Sequence, residues 1–402
     1  MKRICIITDD YPPVVSGGAG AIASEHAEGL QSHGYEVTVL TRCSNKSDAG
    51  FFTENGVRVV RIANSYPQFL RQWIGVFNPP MVLKTLSVLR EYRPDIIHIH
   101  NVHTYFSFSV FFVARLFVPT FATAHDAMMI NSTKVTQVKA VTLFDRVKFA
   151  QYTWNPFREF LIKLCVSHAK IFAVSNALKA VLETNGLKIT AVIHNGLNIS
   201  KFEQKNYTEG DIKKLNSRYS IPDSAQCILF GGRASAAKGV YVAIDSMKII
   251  RQKFPQAVLL IVGVDTKTQT HLNKYAQKAS LLGAIICIDW IPRDMMPLLY
   301  KRSSCVVVPS QYIDPLPTII IESMLMKAPV VVTNLGGASE IVNKETGYIG
   351  QPNENFIASS VAEILNNPHT TKMMVDAAYT KACNDFSQER FIKDVISWYD
   401  RK

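Results

Sequence analysis

The sequence predicts an α/β protein built from two doubly wound domains, and three observations lead to this prediction. The chain has 402 residues, 48% of them hydrophobic, so it can bury sizeable cores, and its length favours more than one domain. Short runs rich in Val and Ile alternate with helical stretches, which is typical of parallel sheets covered by helices on both faces. This alternation occurs twice, on either side of a polar stretch.

The predicted boundaries follow from these runs. We expect a first domain at residues 1–200, a linker at 201–224, a second domain at 225–386, and a final helix at 387–401. The predicted strands of the first domain are residues 3–8, 36–40, 57–61, 95–99, 118–122, 171–174 and 191–193. Those of the second domain are residues 227–230, 257–262, 284–288, 305–308 and 330–332.

The composition of the chain indicates the cellular compartment in which the protein works and the kinds of partner it can bind. The apolar run after Met1 is too short for a signal peptide, and seven widely spaced cysteines suit reduced thiols, so we expect a cytoplasmic protein. The net charge of +12 favours an anionic partner. No helix-turn-helix, zinc-finger or RNP-like motif accompanies that charge, so nucleic acid is not expected as a partner. Arg115 and Pro119 interrupt the apolar segment 105–124, which predicts a helix and a strand rather than a membrane span.

Two carboxylates flank a predicted strand-to-helix turn in the second domain. Asp314 lies in the loop and Glu322 inside the helix, and Pro317 suits the first helical position. The amides of Thr318, Ile319 and Ile320 would then open the helix, and a helix N-terminus attracts anions. The alternative is an ordinary loop acid and a surface glutamate.

A glycine-framed loop in the second domain carries two cations. Arg233 and Lys238 lie between Gly231 and Gly239, after a predicted strand and before a helix. Two cations on so short a loop can converge on one anion, although single basic residues are usually solvated.

The first domain opens with another glycine loop, which includes Gly17 and Gly18. The run from Gly18 to Ala23 imitates a dinucleotide-binding fingerprint, so a nicotinamide enzyme is an alternative. Two features argue against that alternative, because the glycines do not follow the strand directly and the second strand lacks a ribose-binding acid.

Histidines follow neighbouring strands of the first domain. His98, His100 and His103 come with the fourth strand, and His125 ends the next one, where ligands of open sheets bind. A zinc site is an alternative, but no nearby carboxylate or cysteine completes it, so no metal site is predicted.

Several of these segments together resemble one enzyme family. The run D-P-L-P-T-I-I-I-E at 314–322, the run G-G-A-S-E-I-V at 336–342 and the Arg233 to Gly239 loop are similar to motifs of the retaining glycosyltransferases of family 4, which have the GT-B fold. Weaker matches extend the resemblance across the first domain. Asp314 replaces the usual glutamate of the family, which keeps the charge on a shorter arm.

The resemblance implies a fold, an activity and roles for named residues. It implies two Rossmann-like domains facing a central cleft, with the final helix returning to the first domain. It implies transfer of a sugar, with retention of configuration, from a UDP- or GDP-linked donor to a glycan or lipid-linked acceptor. The chain contains no D-x-D triplet that could hold a metal at the diphosphate, so we expect neither a metal nor another cofactor. The implied catalytic residues are His125, Arg233, Lys238 and Asp314, and the implied donor-binding residues are Gly17, Gly18, Arg233, Lys238, Ile291, Asp314, Thr318, Ile319 and Glu322.

Within these, Arg233 and Lys238 would hold the diphosphate, Glu322 the ribose and Asp314 the sugar hydroxyls. Ile291 lies in the segment that lines the nucleobase. Its neighbour Trp290 either stacks on the base or belongs to the core.

The segment 128–170 is poorly covered by the resemblance. It mixes seven basic side chains with aromatic ones at helical spacing: Lys134, Lys139, Phe144, Arg146, Lys148, Phe149, Tyr152, Trp154, Phe157, Arg158, Phe160, Lys163 and Lys170. This pattern fits either a helix at an anionic membrane surface or an ordinary amphipathic helix packed on the sheet.

Two other functions use the same donor. A nucleotide-sugar epimerase of related fold would need no acceptor, and a non-catalytic subunit would bind the nucleotide sugar without turnover. The intact cations and acid pair argue against the non-catalytic subunit.

Overall fold

A computed structural model describes residues 2–13, 17–130, 135–142, 144–145, 155 and 157–401. The described chain divides into two compact units, Met1–Leu197 with Gln388–Lys402, and Asn198–Ser387. Each unit contains a parallel sheet with helices, so the predicted α/β class of two Rossmann-like domains is confirmed.

The elements of the first unit alternate as predicted. They are β1 (Arg3–Ile7), α1 (Gly18–Ser32), β2 (Glu36–Cys43), β3 (Gly50–Glu54), β4 (Val57–Ala63), α2 (Arg71–Ile74), α3 (Pro79–Tyr92), β5 (Ile96–Ile99), α4 (Val110–Ala114), β6 (Thr120–Ala124), α5 (Arg158–Val166), β7 (Lys170–Ala173), α6 (Asn176–Thr184) and β8 (Ala191–Val192). The strand order is β3-β4-β2-β1-β5-β6-β7-β8. The pairs are parallel apart from β3, which runs antiparallel to β4 and was not predicted.

The second unit repeats the architecture with a smaller sheet. Its elements are α7 (Glu209–Tyr219), β9 (Gln226–Phe230), α8 (Val240–Lys253), β10 (Ala257–Val262), α9 (Thr266–Lys278), β11 (Ile285–Ile288), α10 (Met296–Arg302), β12 (Cys305–Val308), α11 (Thr318–Leu325), β13 (Val330–Thr333), α12 (Ala338–Ile341), β14 (Tyr348–Gly350), α13 (Glu354–Asn366) and α14 (Pro368–Asp385). The strand order is β11-β10-β9-β12-β13-β14. The inner strands β9, β10, β12 and β13 are nearly fully buried, because helices cover both faces of a parallel sheet, whereas the edge strands β11 and β14 are partly exposed.

The final helix, α15 (Gln388–Tyr399), belongs to the first unit and packs against α1. Gln388 donates a hydrogen bond of 2.8 Å to the carboxylate of Glu25. A side chain added at Gly29 of α1 would lie 2.5 Å from Ile392, so the two helices approach closely at that glycine. The core of the first unit is therefore completed by the end of the chain.

The segment 201–224, which we predicted as a linker, is folded into the second unit. Its main element is α7, which begins with a capping box: Thr208 and Asp211 exchange hydrogen bonds between side chain and backbone. The helix buries Ile212, Leu215 and Asn216, and its remaining residues are polar. That composition made it look like a linker.

Two further expectations concern apolar segments and cysteines. The segment 105–124 contains α4 and β6, and no helix in the described part of the chain has the length and hydropathy to cross a bilayer. All seven cysteines are free thiols, and five of them are buried.

Candidate functional site

The predicted site residues of the second unit gather where the strand order reverses. The connection from β9 leads to β10 on one side, whereas β12 pairs with β9 on the other. In open α/β sheets, such a switch point leaves a crevice at the carboxyl ends of the strands, where ligands bind. The loop after β9 carries Arg233 and Lys238, and the loop after β12 carries Asp314.

Glycines let these two loops approach each other. Gly239 has φ +79°, and a Cβ there would lie 1.9 Å from the carbonyl oxygen of Pro309. A Cβ at Gly231 would lie 2.7 Å from the side chain of Val308. Larger residues at these positions would push the loops apart, so the glycines bring the Lys238 backbone against the Asp314 loop.

The centre of this site is an ion pair between Lys238 and Asp314. The ammonium nitrogen lies 2.5 Å from Asp314 Oδ2, and the two side chains are only 18% and 6% exposed. Ser310 donates a hydrogen bond to the same carboxylate oxygen at 3.1 Å, and the Tyr312 hydroxyl lies 3.3 Å from Oδ1. Burial by itself lowers the pKa of Lys238, but attraction to the Asp314 carboxylate outweighs it and raises the pKa above its ordinary value. Lys238 therefore stays charged at neutral pH.

The diglycine at 336–337 holds the Asp314 loop from the other side. Gly336 forms an isolated parallel bridge with Asp314, and the Gly337 amide donates to the Asp314 carbonyl oxygen at 2.8 Å. Gly336 has φ +73°, and a Cβ there would lie 2.3 Å from the same carbonyl oxygen. The glycines of the G-G-A-S-E-I-V run thus fix the backbone that carries the acid.

The second acid, Glu322, lies inside α11 and has two partners that the sequence did not reveal. Arg293 Nη2 donates to Oε1 and the Tyr300 hydroxyl donates to Oε2, each at 2.6 Å, while the carboxylate side chain is only 8% exposed. Burial and the adjacent carboxylate hold the pKa of Tyr300 well above its ordinary value. Tyr300 therefore stays a donor at neutral pH. Glu322 is a fixed, hydrogen-bonded carboxylate rather than a solvated surface glutamate.

The N-terminus of α11 differs slightly from the prediction. The helix begins at Thr318, so Pro317 is the residue before it rather than the first helical residue. The Ile320 amide already donates to the Pro317 carbonyl oxygen at 3.1 Å. Within the described chain, the amides of Thr318 and Ile319 have no such partner, so these two remain available to an anion.

The other predicted donor-binding residues lie at the same sheet edge. Arg233 is exposed, and no ion pair joins it to another described residue. Ile291 is buried, so its side chain is part of the core and only its backbone can face a ligand. Trp290 is 68% exposed, which excludes the core alternative for this ring.

The glycines predicted for the first unit lie at its own switch point, between β1 and β5, whereas His125 follows the neighbouring strand β6. Gly18 begins α1 and Gly17 precedes it, whereas the preceding residues 14–16 of the glycine loop lie outside the described residues. A Cβ at Gly20 would lie 2.9 Å from Asp10, so α1 starts close to the chain that leaves β1.

His125 is joined to a buried chain of polar rings in the first unit. His125 Nε2 lies 2.8 Å from His100 Nδ1, and His100 Nε2 lies 2.9 Å from His26 Nδ1. The Tyr399 hydroxyl joins the next two rings, at 3.2 Å from His26 Nε2 and 2.7 Å from His98 Nδ1. The last contact is 2.8 Å long and joins His98 Nε2 to Thr123 Oγ1. Burial lowers the pKa of His125 to about 4 and that of His26 to about 3, and lowers the pKa of His98 and His100 well below the ordinary value. The imidazoles are therefore neutral at pH 7.

The same histidines bear on the zinc alternative. His26, His98 and His100 bring ligand atoms within 4.8 Å of one another, a group that the sequence spacing only partly indicated. Both ring nitrogens of all three already have hydrogen-bond partners. A metal would have to displace these bonds, so the geometry favours a hydrogen-bonded chain.

The fold and the site together define a class of protein. Two Rossmann-like units, with a glycine loop after the first strand of each and convergent charged groups at the switch point of the second, are those of the GT-B fold. A solved structure of HepE from Anabaena in complex with UDP-glucose matches with a TM-score of 0.74 at 19% identity, covering 99% of this chain and 99% of that chain.

The family follows from sequence comparison. The model described as Glycosyltransferase Family 4 matches residues 16–201, and the model described as Glycosyl transferases group 1 matches residues 211–381. The chain belongs to the glycosyltransferases of family 4. Among curated relatives, an uncharacterized glycosyltransferase of Methanocaldococcus jannaschii is 26% identical over 99% of this chain and 97% of its own length. A glycogen synthase of Mycobacterium tuberculosis is 25% identical over 96% of this chain and 91% of its own length.

Proposed function

We propose that this glycosyltransferase moves a hexose from a UDP- or GDP-linked donor to an acceptor hydroxyl, with retention of configuration, in the synthesis of a polysaccharide or glycolipid. The observation that carries the proposal is the buried Lys238–Asp314 pair at the switch point of the second unit. In this pair Lys238 is a cation that can bind phosphate, and the neighbouring Asp314 is an acid that can accept hydrogen bonds from sugar hydroxyls. The names of the glycogen synthase relative and of the HepE complex with UDP-glucose support the polysaccharide role and the donor class.

The proposed roles divide the donor among the side chains of the second unit. Lys238 and the exposed Arg233 bind the diphosphate, with the Thr318 and Ile319 amides as further donors. Asp314 accepts hydrogen bonds from the sugar hydroxyls.

The nucleoside is held farther along the sheet edge. Glu322, held by Arg293 and Tyr300, accepts from the ribose hydroxyls. The backbone at Ile291 faces the nucleobase, and the exposed Trp290 is placed to stack on it.

The proposed chemistry needs no enzymatic nucleophile. The bond from the anomeric carbon to the diphosphate oxygen breaks, the acceptor oxygen attacks from the same face, and the departing phosphate oxygen takes the acceptor proton. The cations and helix amides stabilise the negative charge as it develops. The sequence has no D-x-D triplet, so we propose that these cations, rather than a metal ion, neutralise the leaving group. In the first unit, Gly17, Gly18 and His125 are assigned to the reaction centre.

Product analysis tests this function. The protein is incubated with UDP- and GDP-hexoses in excess chelator, with and without glycan or lipid-linked acceptors, and products are examined by NMR. An α-donor giving an α-linked product supports the proposal. An epimerised donor formed without acceptor would establish the epimerase, and donor binding without any turnover would favour the non-catalytic subunit. Activity that is lost in chelator and restored by metal would contradict metal independence.

Arg233→Ala is expected to lower transfer by about two to three orders of magnitude, because one charge-stabilising donor at a leaving group contributes that much. Arg233 is exposed, so the variant should keep its fold. The measurement is kcat/KM for the donor. The matched control is Arg218→Ala, which removes an exposed arginine from α7 of the same unit. Equal rates in wild type and Arg233→Ala would remove Arg233 from the site.

A lipid-linked acceptor is favoured by the surface of α5. This helix buries Ile162, Cys165 and Val166 and exposes Phe160 and Leu164 at 68% and 45%, and Phe157, the residue before it, is 64% exposed. The helix thus packs on its unit and also presents an apolar stripe, which fits both alternatives drawn from the sequence. Lys134, Arg146, Lys148, Phe149, Tyr152 and Trp154 lie outside the described residues.

Because the chain has a net charge of +12 in addition to this apolar stripe, we expect the protein to sediment with anionic liposomes at low salt and to be released at high salt. Phe157→Ser with Phe160→Ser should weaken binding by at least about tenfold, since each buried ring contributes roughly 1.5–3 kcal/mol. Leu282→Ser, at a 70% exposed position of the second unit, is the control. No binding to any vesicle would favour a soluble acceptor.

A further inference from the structure

The chain of polar rings behind His125 joins elements that are far apart in sequence. His98 lies in β5 and Thr123 in β6, His26 lies in α1, and Tyr399 lies in α15. All of these side chains are buried, and His100 is also buried. The Nδ1 atom of His125 has no hydrogen-bond partner within the described part of the chain, and its ring is only partly buried. His125 is therefore the end of the chain that can meet a ligand.

The protonation of these rings is coupled. A neutral imidazole has one N–H donor and one acceptor nitrogen, and a tyrosine hydroxyl has one proton to donate. Each ring uses one nitrogen toward each neighbour, so the direction of one hydrogen bond sets all the others. The chain has two self-consistent arrangements, one for each neighbour to which Tyr399 can donate.

The two distances at Tyr399 select one arrangement. The hydroxyl lies 2.7 Å from His98 Nδ1 and 3.2 Å from His26 Nε2. Hydrogen bonds donated by hydroxyls are shorter than those donated by N–H groups, so Tyr399 donates to His98 and accepts from His26. His98 then donates to Thr123.

On the other side of Tyr399, His26 presents Nδ1 as an acceptor to His100, and His100 presents Nδ1 as an acceptor to His125. His125 must then carry its proton on Nε2. Its outward Nδ1 is left as a lone pair.

We propose that His100, His26 and Tyr399 are positioning residues that hold His125 as the neutral Nε2–H tautomer, so that its Nδ1 accepts a hydrogen bond from a substrate hydroxyl. The assignment of that hydroxyl to a sugar rests on the proposed function. The tautomer itself does not. The low pKa values of the four histidines agree with neutral rings throughout.

The tautomer is measured directly by NMR on protein labelled with 15N-histidine, without substrate. The His125 signals are assigned with a His125→Asn variant. We expect wild type at pH 7 to show a protonated Nε2 and an unprotonated Nδ1 at His125. Tyr399→Phe removes the hydroxyl that fixes the direction, so His125 should then populate both tautomers. The matched control is Tyr92→Phe, which deletes a buried hydroxyl of the same unit that donates to the Glu36 carbonyl oxygen. An Nδ1–H tautomer in wild type, or an unchanged tautomer in Tyr399→Phe, would overturn the proposal.

Two substitutions of His125 separate the role of Nδ1 from that of Nε2. Asn places an oxygen near the Nδ1 position, whereas Gln reaches the Nε2 position that faces His100. We expect His125→Asn to keep kcat within about tenfold of wild type and His125→Gln to lose about a hundredfold, since leaving a buried hydroxyl without its hydrogen-bond acceptor costs about that much. The reverse order would overturn the proposal. If wild type shows the expected tautomer but no transfer with any donor and acceptor, the proposed function fails and the tautomer assignment stands.

Discussion

Lys238→Met is expected to abolish nearly all transfer, with a fall of about a thousandfold in kcat/KM, and to destabilise the second unit. The loss of activity follows from removing the cation assigned to the diphosphate. The loss of stability follows from burial. Asp314 is 6% exposed, and without Lys238 the partners of its carboxylate among the described side chains are Ser310 and Tyr312. Breaking a buried ion pair costs about 3–5 kcal/mol. Denaturant unfolding and donor kinetics on the same preparation measure both effects.

The control for this variant is Lys248→Met, in α8 of the same unit. Lys248 pairs with Asp245 at 3.1 Å, but its side chain is 49% exposed. An exposed pair contributes less than about 1 kcal/mol, so this variant should remain stable and active. A folded Lys238→Met protein with wild-type turnover would contradict the assigned role.

The first unit should lose stability as the pH falls from 6.5 toward 4. In this range its histidines stay neutral in the folded state but become protonated in the unfolded state. Folding lowers the pKa of His125 to about 4 and that of His26 to about 3, whereas an unfolded histidine titrates near 6.5. Between these values the unfolded state binds more protons, so the stabilisation present above pH 6.5 is lost as pH falls. The expected loss by pH 4 is on the order of several kcal/mol.

Denaturant titrations at a series of pH values test this expectation. Trp290 is the tryptophan of the second unit, so fluorescence of Trp290→Phe reports on the first unit. His125→Asn should flatten the dependence of unfolding free energy on pH, and His271→Gln, at an exposed position of the second unit, should leave it unchanged. A free energy of unfolding that is constant from pH 7 to 4.5 would show that the rings take up protons in the folded protein as readily as in the unfolded one, which contradicts the expectation.

Local patterns predicted most of the fold, and the misses have local explanations. The strand β3 was missed although Asn55 and Gly56, with φ of 50° and 79°, form the turn between β3 and β4. An Asn-Gly pair between strand-forming runs predicts such a hairpin. The helix α7 was taken for a linker because its buried face is small, although Thr208 and Asp211 have capping-box spacing.

The charged residues of the candidate site could be predicted from the sequence, but the partners that hold them could not. Lys238 and Asp314 stand out because glycines and prolines frame them. The partners of Glu322 do not, because Arg293 and Tyr300 lie 29 and 22 positions away and meet the carboxylate only when α10 packs on α11. Tyr399 is a similar case, since 301 positions separate it from His98. Contacts of this kind depend on tertiary packing, so no periodic pattern in the sequence predicts them.

The return of α15 to the first unit has a consequence for how the two units assemble. Residues 198–387 form a unit that is continuous in sequence, whereas the first unit is formed by two segments that lie on either side of it in the chain. The N-terminal sheet is synthesised first, but its unit is complete only when α15 packs against α1 at Gly29 and brings the Tyr399 hydroxyl to His98. The second unit can therefore form from contacts within one continuous stretch of chain, whereas the first needs contacts between α1 and α15, which are separated by most of the chain.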